Sequence, residues 1–208
     1  FDDEYVLSGQ GTIGLEILEQ LPDVKYIVVP IGGGGLISGI ALAVKSLRPD
    51  VKIIGVEPET AASMLASRKA GKIVTLDSAN TMADGLAVKK PGEITFDLCE
   101  KYVDEIVTVS EDEITNAILR LLEESKVSAE GAGASSVAAV LSNKYDFSDG
   151  KVCAVLSGGN INVNTIYQII NSGLFKTGRL TEITTTISDK PGELIRLLTI
   201  IKDLGANI

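Results

Sequence analysis

Four short runs, at 24–31, 51–56, 105–109 and 151–156, are rich in valine and isoleucine and nearly continuous in apolarity. Strands buried on both faces have this pattern, whereas half-exposed strands alternate. Between the runs, apolar residues recur at helical spacing over 14–21, 36–47, 61–70, 111–125 and 132–141, and again over 163–173, where a glycine closes the segment. Strands that alternate with helices predict an α/β protein with a three-layer α/β/α parallel-sheet core and ligands at the carboxyl ends of the strands. The tail has a different style. Positions 180–187 alternate, Asp189-Lys190-Pro191-Gly192-Glu193-Leu194 makes a turn into a helix reaching Leu204, and 205–208 begins another strand. The expected organisation is therefore a main domain over 1–173, a linker over 174–179 and a partial βαβ unit over 180–208. A βαβ unit that stops mid-strand cannot close a core by itself, so the chain is expected to be a fragment.

Composition narrows the chemistry. With 208 residues, 45% of them hydrophobic and 23% charged, the chain can bury one full domain and part of another. A formal charge of -9 argues against a nucleic-acid or anionic-membrane partner. Positions 26–44 carry no charge and are long enough to span a bilayer, but Pro30 and four glycines interrupt them, which predicts strand, turn and helix instead. The absence of histidine removes Ser-His-Asp and Cys-His nucleophile systems and nearly all imidazole-built metal sites. Proton transfer must then fall to lysine, carboxylates, tyrosine or a cofactor. Cys99 and Cys153 lie in a helical and a buried-strand pattern and read as reduced core thiols, which suits a cytoplasmic protein.

Two glycine-rich loops follow apolar runs and lead toward helices: Gly32-Gly33-Gly34-Gly35-Leu36 and Ser157-Gly158-Gly159-Asn160. Consecutive glycines turn the backbone through positive φ and present several N–H groups at one point, and a helix starting there adds its positive end. The first loop therefore reads as a phosphate cradle that needs no lysine or arginine; the alternative is a tight strand-to-helix connection that binds nothing. Taken alone, Ser157 is a hydroxyl capping its own strand end. Glu57 lies one βαβ unit after the glycines, where a ribose-binding acid belongs in a dinucleotide fold. However, Ile37 and Ser38 occupy the positions of the third glycine in G-x-G-x-x-G, and no G-K-[ST] follows. Ser110 with Glu111, Asp112 and Glu113 reads as a helix cap.

Gln10-Gly11-Thr12, Pro30-Ile31-Gly32-Gly33-Gly34-Gly35-Leu36, Gly55-Val56-Glu57-Pro58, Ala83-Asp84-Gly85, Glu130-Gly131-Ala132-Gly133-Ala134 and Leu156-Ser157-Gly158-Gly159-Asn160 together resemble, in this order, the threonine ammonia-lyase group of pyridoxal-phosphate enzymes. The resemblance implies the tryptophan-synthase-β-like fold and a pyridoxal 5'-phosphate cofactor. It implies that Gly32, Gly33, Gly34, Gly35 and Leu36 hold the phosphate through their amides and that Ser157 meets the pyridine nitrogen. Gly85 and Glu130 would lie near the ring and substrate, or else serve as a turn glycine and a helix-start acid. A neutral hydroxyl at the ring nitrogen weakens the electron sink, which disfavours transamination and leaves loss of a β-substituent as the easier course. The implied reaction takes L-threonine to 2-oxobutanoate and ammonia, and L-serine to pyruvate. The Schiff-base lysine of the group lies upstream of these motifs, so no catalytic residue is expected in this chain and the chain alone is expected to be inactive.

Serine-racemizing relatives bind a divalent cation after G-V-E-P. Glu57 and Ala61 align with two of the ligands, but Ser63 stands where an aspartate is needed, which leaves only a weak candidate and no metal assigned. The tail resembles the start of an ACT regulatory domain, a ferredoxin-like unit. Asp189, Gly192, Glu193, Leu194 and Asn207 would bind an amino-acid effector such as isoleucine or valine, unless the unit only dimerises. A closed homo-oligomer, dimer or tetramer, is the expected state. The alternatives are another enzyme of the same fold, such as a serine racemase, a noncatalytic module binding amino acids or phosphate ligands, and a nicotinamide-dinucleotide protein.

Overall fold

The four apolar runs pair into one parallel sheet in a computed structural model of the chain, which describes residues 1–176 and 178–205. The strands are β1 (Val24–Pro30), β2 (Lys52–Pro58), β3 (Glu105–Val109) and β4 (Lys151–Ala154), in the order β3-β2-β1-β4. The helices are α1 (Glu4–Gln20), α2 (Gly35–Leu47), α3 (Ser63–Ala70), α4 (Glu93–Tyr102), α5 (Glu111–Arg120), α6 (Gly131–Leu141), α7 (Val163–Lys176) and α8 (Glu193–Asp203). The chain divides into two compact units, Phe1–Gly173 and Leu174–Ile208.

Neighbouring side chains on a strand point to opposite faces, and here both faces are covered. Val28 and Ile54 lie under Ala117 and Ile118 of α5 and Ala134 and Ala138 of α6, while Ile27, Val29 and Ile53 lie under Ile37, Ile40 and Val44 of α2 and Phe96 of α4. Each such aliphatic side chain contributes roughly 1.5–3 kcal/mol when fully buried. With two dry faces, no polar residue is needed between the apolar ones, so the strands read as unbroken runs.

The order of the strands positions the site. β1, β2 and β3 succeed one another across the sheet, and the chain then returns to pair β4 with the other edge of β1. Because right-handed crossovers change face when the direction of travel reverses, α2 and α4 cover one face and α5 and α6 the other. The reversal falls between β1 and β4, whose carboxyl ends run into the glycine loop and the Ser157 loop. A parallel sheet opens its ligand crevice at such a point.

Several boundaries differ from those expected, each for a local reason. α1 begins ten residues earlier than the 14–21 pattern, at an Asp3 cap that accepts from the amides of Tyr5 and Val6. Glycines at 9, 11 and 14 weaken the helical signal, yet Gly11 and Gly14 are the residues that let α1 lie against the backbone of Gly39 and Ile40 in α2. Residues 59–61 form a 3-10 turn before α3 instead of its first turn. The segment 111–125 is helical throughout but changes to a π-helical turn at Leu121–Ser125. β4 stops at Ala154, and α7 continues to Lys176 through the expected linker. Ser110 and Glu113 form a capping box, so the acidic start of α5 is a cap. Cys99 and Cys153 are free thiols. Among the described residues, no helix is long and apolar enough to cross a membrane.

In the second unit, the turn at 189–192 leads into α8 through Gly192 at φ +93. The alternating segment 180–187 is not a strand: all its residues are exposed, and among the described residues no ladder pairs with it. Alternation describes one face, whereas a strand exists only through the hydrogen bonds of a neighbour. Of the expected βαβ unit, the helix is therefore the element observed. Asn207 and the expected second strand at 205–208 lie outside the described residues, apart from Gly205, which has φ +72.

Candidate active site

At the end of β1, the Ile31 amide still bonds Val56 O at 2.7 Å, and the chain then leaves the sheet. Gly34 is the N-cap of α2, with φ +96 and no side-chain cap. A β-carbon there would lie 2.7 Å from Met64 Cε and 2.8 Å from Thr95 Cβ, so glycine is required by conformation and by space. The first amide of this region with a backbone partner is Ser38, which donates to Gly34 O at 3.0 Å. Among the described residues, no protein acceptor serves the amides of 32–37. These are the orphan donors of a helix start, gathered by the glycine bend and pointed at by the helix dipole.

The second loop is held as closely. Val155 N donates to Val28 O at 2.9 Å, and Ser136 Oγ to Val155 O at 2.7 Å, which carries the chain past β4 to Ser157, an exposed residue. A β-carbon on Gly133 of α6 would stand 2.6 Å from both the nitrogen and the oxygen of Gly158, so the helix and loop touch backbone to backbone. Glu130, the N-cap residue of α6, does not cap it with its side chain. Its carboxylate instead accepts from Asn160 N at 3.0 Å, and its amide donates to Gly158 O at 3.2 Å. Its position is that of a helix-start acid, but its hydrogen bonds lock the Ser157 loop.

Both loops line one cleft of about 550 Å³, which holds all of Gly32, Gly33, Gly34, Gly35, Leu36, Gly85, Ser157 and Glu130. None of its lining residues has a cationic side chain, which leaves the amides as the donors gathered at the glycine bend. Gly85 lies in a 3-10 turn, with its carbonyl 2.7 Å from where a β-carbon on Gly32 would be. A smaller cavity of about 290 Å³ shares Gly85 and Glu130 and adds Asp84 and Asn160. Sequence reasoning overlooked Met64 and Thr95, which support the glycine bend from beneath. They come from helices one crossover away, and nothing local to 32–36 signals them.

Glu57 has a clear structural role. It is fully buried, and its oxygens accept from the amides of Met64 and Leu65, each at 2.8 Å, so it caps α3. Neither ribose nor cation is needed to explain this acid. Ala61 lies in the turn Glu59–Ala61, and Ser63 Oγ is buried with no hydrogen-bond partner among the described residues. Burial pushes the Glu57 carboxyl up to about 7, against two amide bonds that favour the charged form. Between the ordinary 4.5 and about 7, the folded chain keeps a proton that the unfolded chain has released. Stability therefore falls as pH rises through that window, by at most about 1.4 kcal/mol per unit, and levels off above it. Urea unfolding across this range is expected to show the slope, and Glu57→Gln to flatten it; an equal slope in the variant would assign it to other groups.

A parallel α/β sheet with unpartnered amides at one side of its switch point and a serine loop at the other has the layout of an α/β protein that binds its ligand at the carboxyl ends of its strands. Residues 1–158 match the family described as pyridoxal-phosphate dependent enzyme, and the chain belongs to that family. It is 58% identical over 208 residues to the L-threonine ammonia-lyase of Thermotoga maritima, covering 100% of this chain and 52% of that protein. Among solved structures, the processed form of threonine deaminase isoform 2 from Solanum lycopersicum aligns with a TM-score of 0.78 at 40% identity, covering 82% of this chain and 50% of that one. Maize serine racemase aligns with a TM-score of 0.76 at 39% identity, covering 86% and 55%. The chain spans about half the length of the curated relatives it matches. The site fits the family's cofactor: unpartnered amides suit a phosphate, and the crevice beside them carries the Ser157 hydroxyl on the loop after β4.

Proposed function

We propose that the intact protein carrying this chain is a threonine ammonia-lyase, converting L-threonine to 2-oxobutanoate and ammonia and L-serine to pyruvate and ammonia. The observation that carries this reading is the set of unpartnered amides at 32–37 in the same cleft as Ser157. Identity of 58% to a relative named for the threonine reaction supports the choice of substrate.

Each residue then has a task. The amides of Gly32, Gly33, Gly34, Gly35 and Leu36 bind the cofactor phosphate at the positive end of α2. When bound, pyridoxal phosphate supplies the electron sink that lets an amino acid lose its Cα proton. Ser157 offers the pyridine nitrogen a neutral hydroxyl, which tempers that sink and favours expulsion of the β-hydroxyl. Glu130 fixes the Ser157 loop through Asn160 and Gly158, and Gly85 would lie near the ring. We read the second unit as regulatory, with the turn at Asp189, Gly192, Glu193 and Leu194 receiving an amino acid such as isoleucine or valine.

Incubating the intact protein with L-threonine and assaying 2-oxobutanoate tests the reading. Cofactor uptake with serine racemisation but no 2-oxobutanoate would overturn the substrate assignment. Failure to take up pyridoxal phosphate at all would leave a noncatalytic binding module. A rate unchanged by isoleucine and by valine would reject the regulatory role.

A further inference from the structure

The glycine bend is tied to the core at one atom. Gly33 O accepts from Thr95 Oγ1 at 2.7 Å and from the Gly92 amide at 3.4 Å. Thr95 is fully buried in the first turn of α4. It is itself held at two points: its amide donates to Asp2 Oδ1 at 3.1 Å, and its carbonyl accepts from Ser38 Oγ at 3.2 Å. The hydroxyl that reaches Gly33 thus sits on a fixed backbone.

Stereochemistry carries this contact across the bend. Among the described residues no peptide bond is cis, and across a trans peptide the carbonyl and the following N–H point in opposite directions. Holding Gly33 O toward the core therefore aims the Gly34 N–H the other way. Gly34 lines the cleft, and among the described residues its amide has no protein acceptor. With glycine on both sides, the Gly33-Gly34 peptide could otherwise rotate at little cost, because no β-carbon restricts it.

We infer that Thr95 is a positioning residue for anion binding: its hydroxyl pins the Gly33 carbonyl and so presents the Gly34 amide to the cofactor phosphate. The inference rests on the phosphate-cradle reading above and extends it to a side chain that does not touch the ligand. Its contribution is orientation, set in advance by folding, so removing it should weaken binding of the phosphate and leave the rest of the ligand unaffected.

The test compares two ligands on the intact protein freed of cofactor: pyridoxal phosphate and pyridoxal, which lacks the phosphate. Thr95→Val keeps the shape and removes the donor. It is expected to lower affinity for pyridoxal phosphate about ten- to thirtyfold, the lower range of one hydrogen bond to a charged group, while pyridoxal affinity changes less than about threefold. Thr95→Ser, which retains the hydroxyl, is expected to restore pyridoxal phosphate binding to within about threefold. Equal losses for both ligands, or no loss for the phosphorylated one, would overturn the inference. If the unsubstituted protein binds both ligands equally, the cradle reading itself fails, a result distinct from either. Circular dichroism verifies folding, and if Thr95→Val does not fold, Thr95→Ala removes the same donor and is judged by the same ratio of affinities.

Discussion

Gly34→Ala is expected to destabilise the protein by about 3 kcal/mol and to lower pyridoxal phosphate affinity about a hundredfold, since strain and collision act together at this position. An alanine held at positive φ costs about 1–2 kcal/mol, and Gly34 has φ +96. Its new methyl would meet Met64 Cε at 2.7 Å and Thr95 Cβ at 2.8 Å, the two side chains that carry the bend. Relief requires the bend to move, and movement scatters the amides that face the cleft. Gly71 provides the comparison, because it also has positive φ, +64, but a β-carbon there would have nothing within 4 Å. Gly71→Ala should show the conformational cost alone, about 1 kcal/mol, with cofactor affinity unchanged. Urea unfolding and cofactor titration of both variants separate the contributions; full affinity in Gly34→Ala would mean that the amides of this bend do not hold the phosphate.

Gly133→Ala is expected to lower stability by about 2 kcal/mol although it places a good helix former within a helix. In open helical surroundings such a change gains about 0.5–1 kcal/mol; Gly9 of α1, with nothing within 4 Å, is a position where Gly9→Ala should gain it. At Gly133 the methyl would stand 2.6 Å from two backbone atoms of Gly158, and a backbone cannot swing aside as a side chain can. The Ser157 loop must then shift, losing the bond from the Glu130 amide to Gly158 O and that from the Asn160 amide to the Glu130 carboxylate. Cofactor affinity should fall together with stability. A Gly133→Ala protein as stable as Gly9→Ala and equally avid for cofactor would show that the loop does not depend on this contact.

The parallel sheet was legible because burial on both faces writes itself into consecutive residues, as in 24–31. The glycine loop was legible for a related reason: only a backbone that must bend and expose its amides dispenses with four side chains in succession. Where a signal depended on partners, reading it failed. The alternation at 180–187 looked like a strand but has no neighbour among the described residues, and α1 was shortened because its glycines serve α2 and not their own helix. The role of Glu57 was likewise not legible: its carboxylate caps α3, whose amides it meets only once the chain has turned back.

Local sequence, then, determined which segments of the main unit become strands, most of those that become helices, and where the glycine-rich loops fall, because propensity, periodicity and glycine content act over a few neighbouring residues; α4 was not among the expected helices. Only the tertiary structure decided that the strand order reverses between β1 and β4, that Ser157 shares a cleft with Gly32–Gly35, that Glu130 bonds the loop at 158–160 and that Thr95 bonds the Gly33 carbonyl. Those relations join residues dozens of positions apart, and their energies come from contacts that exist only once the sheet has closed.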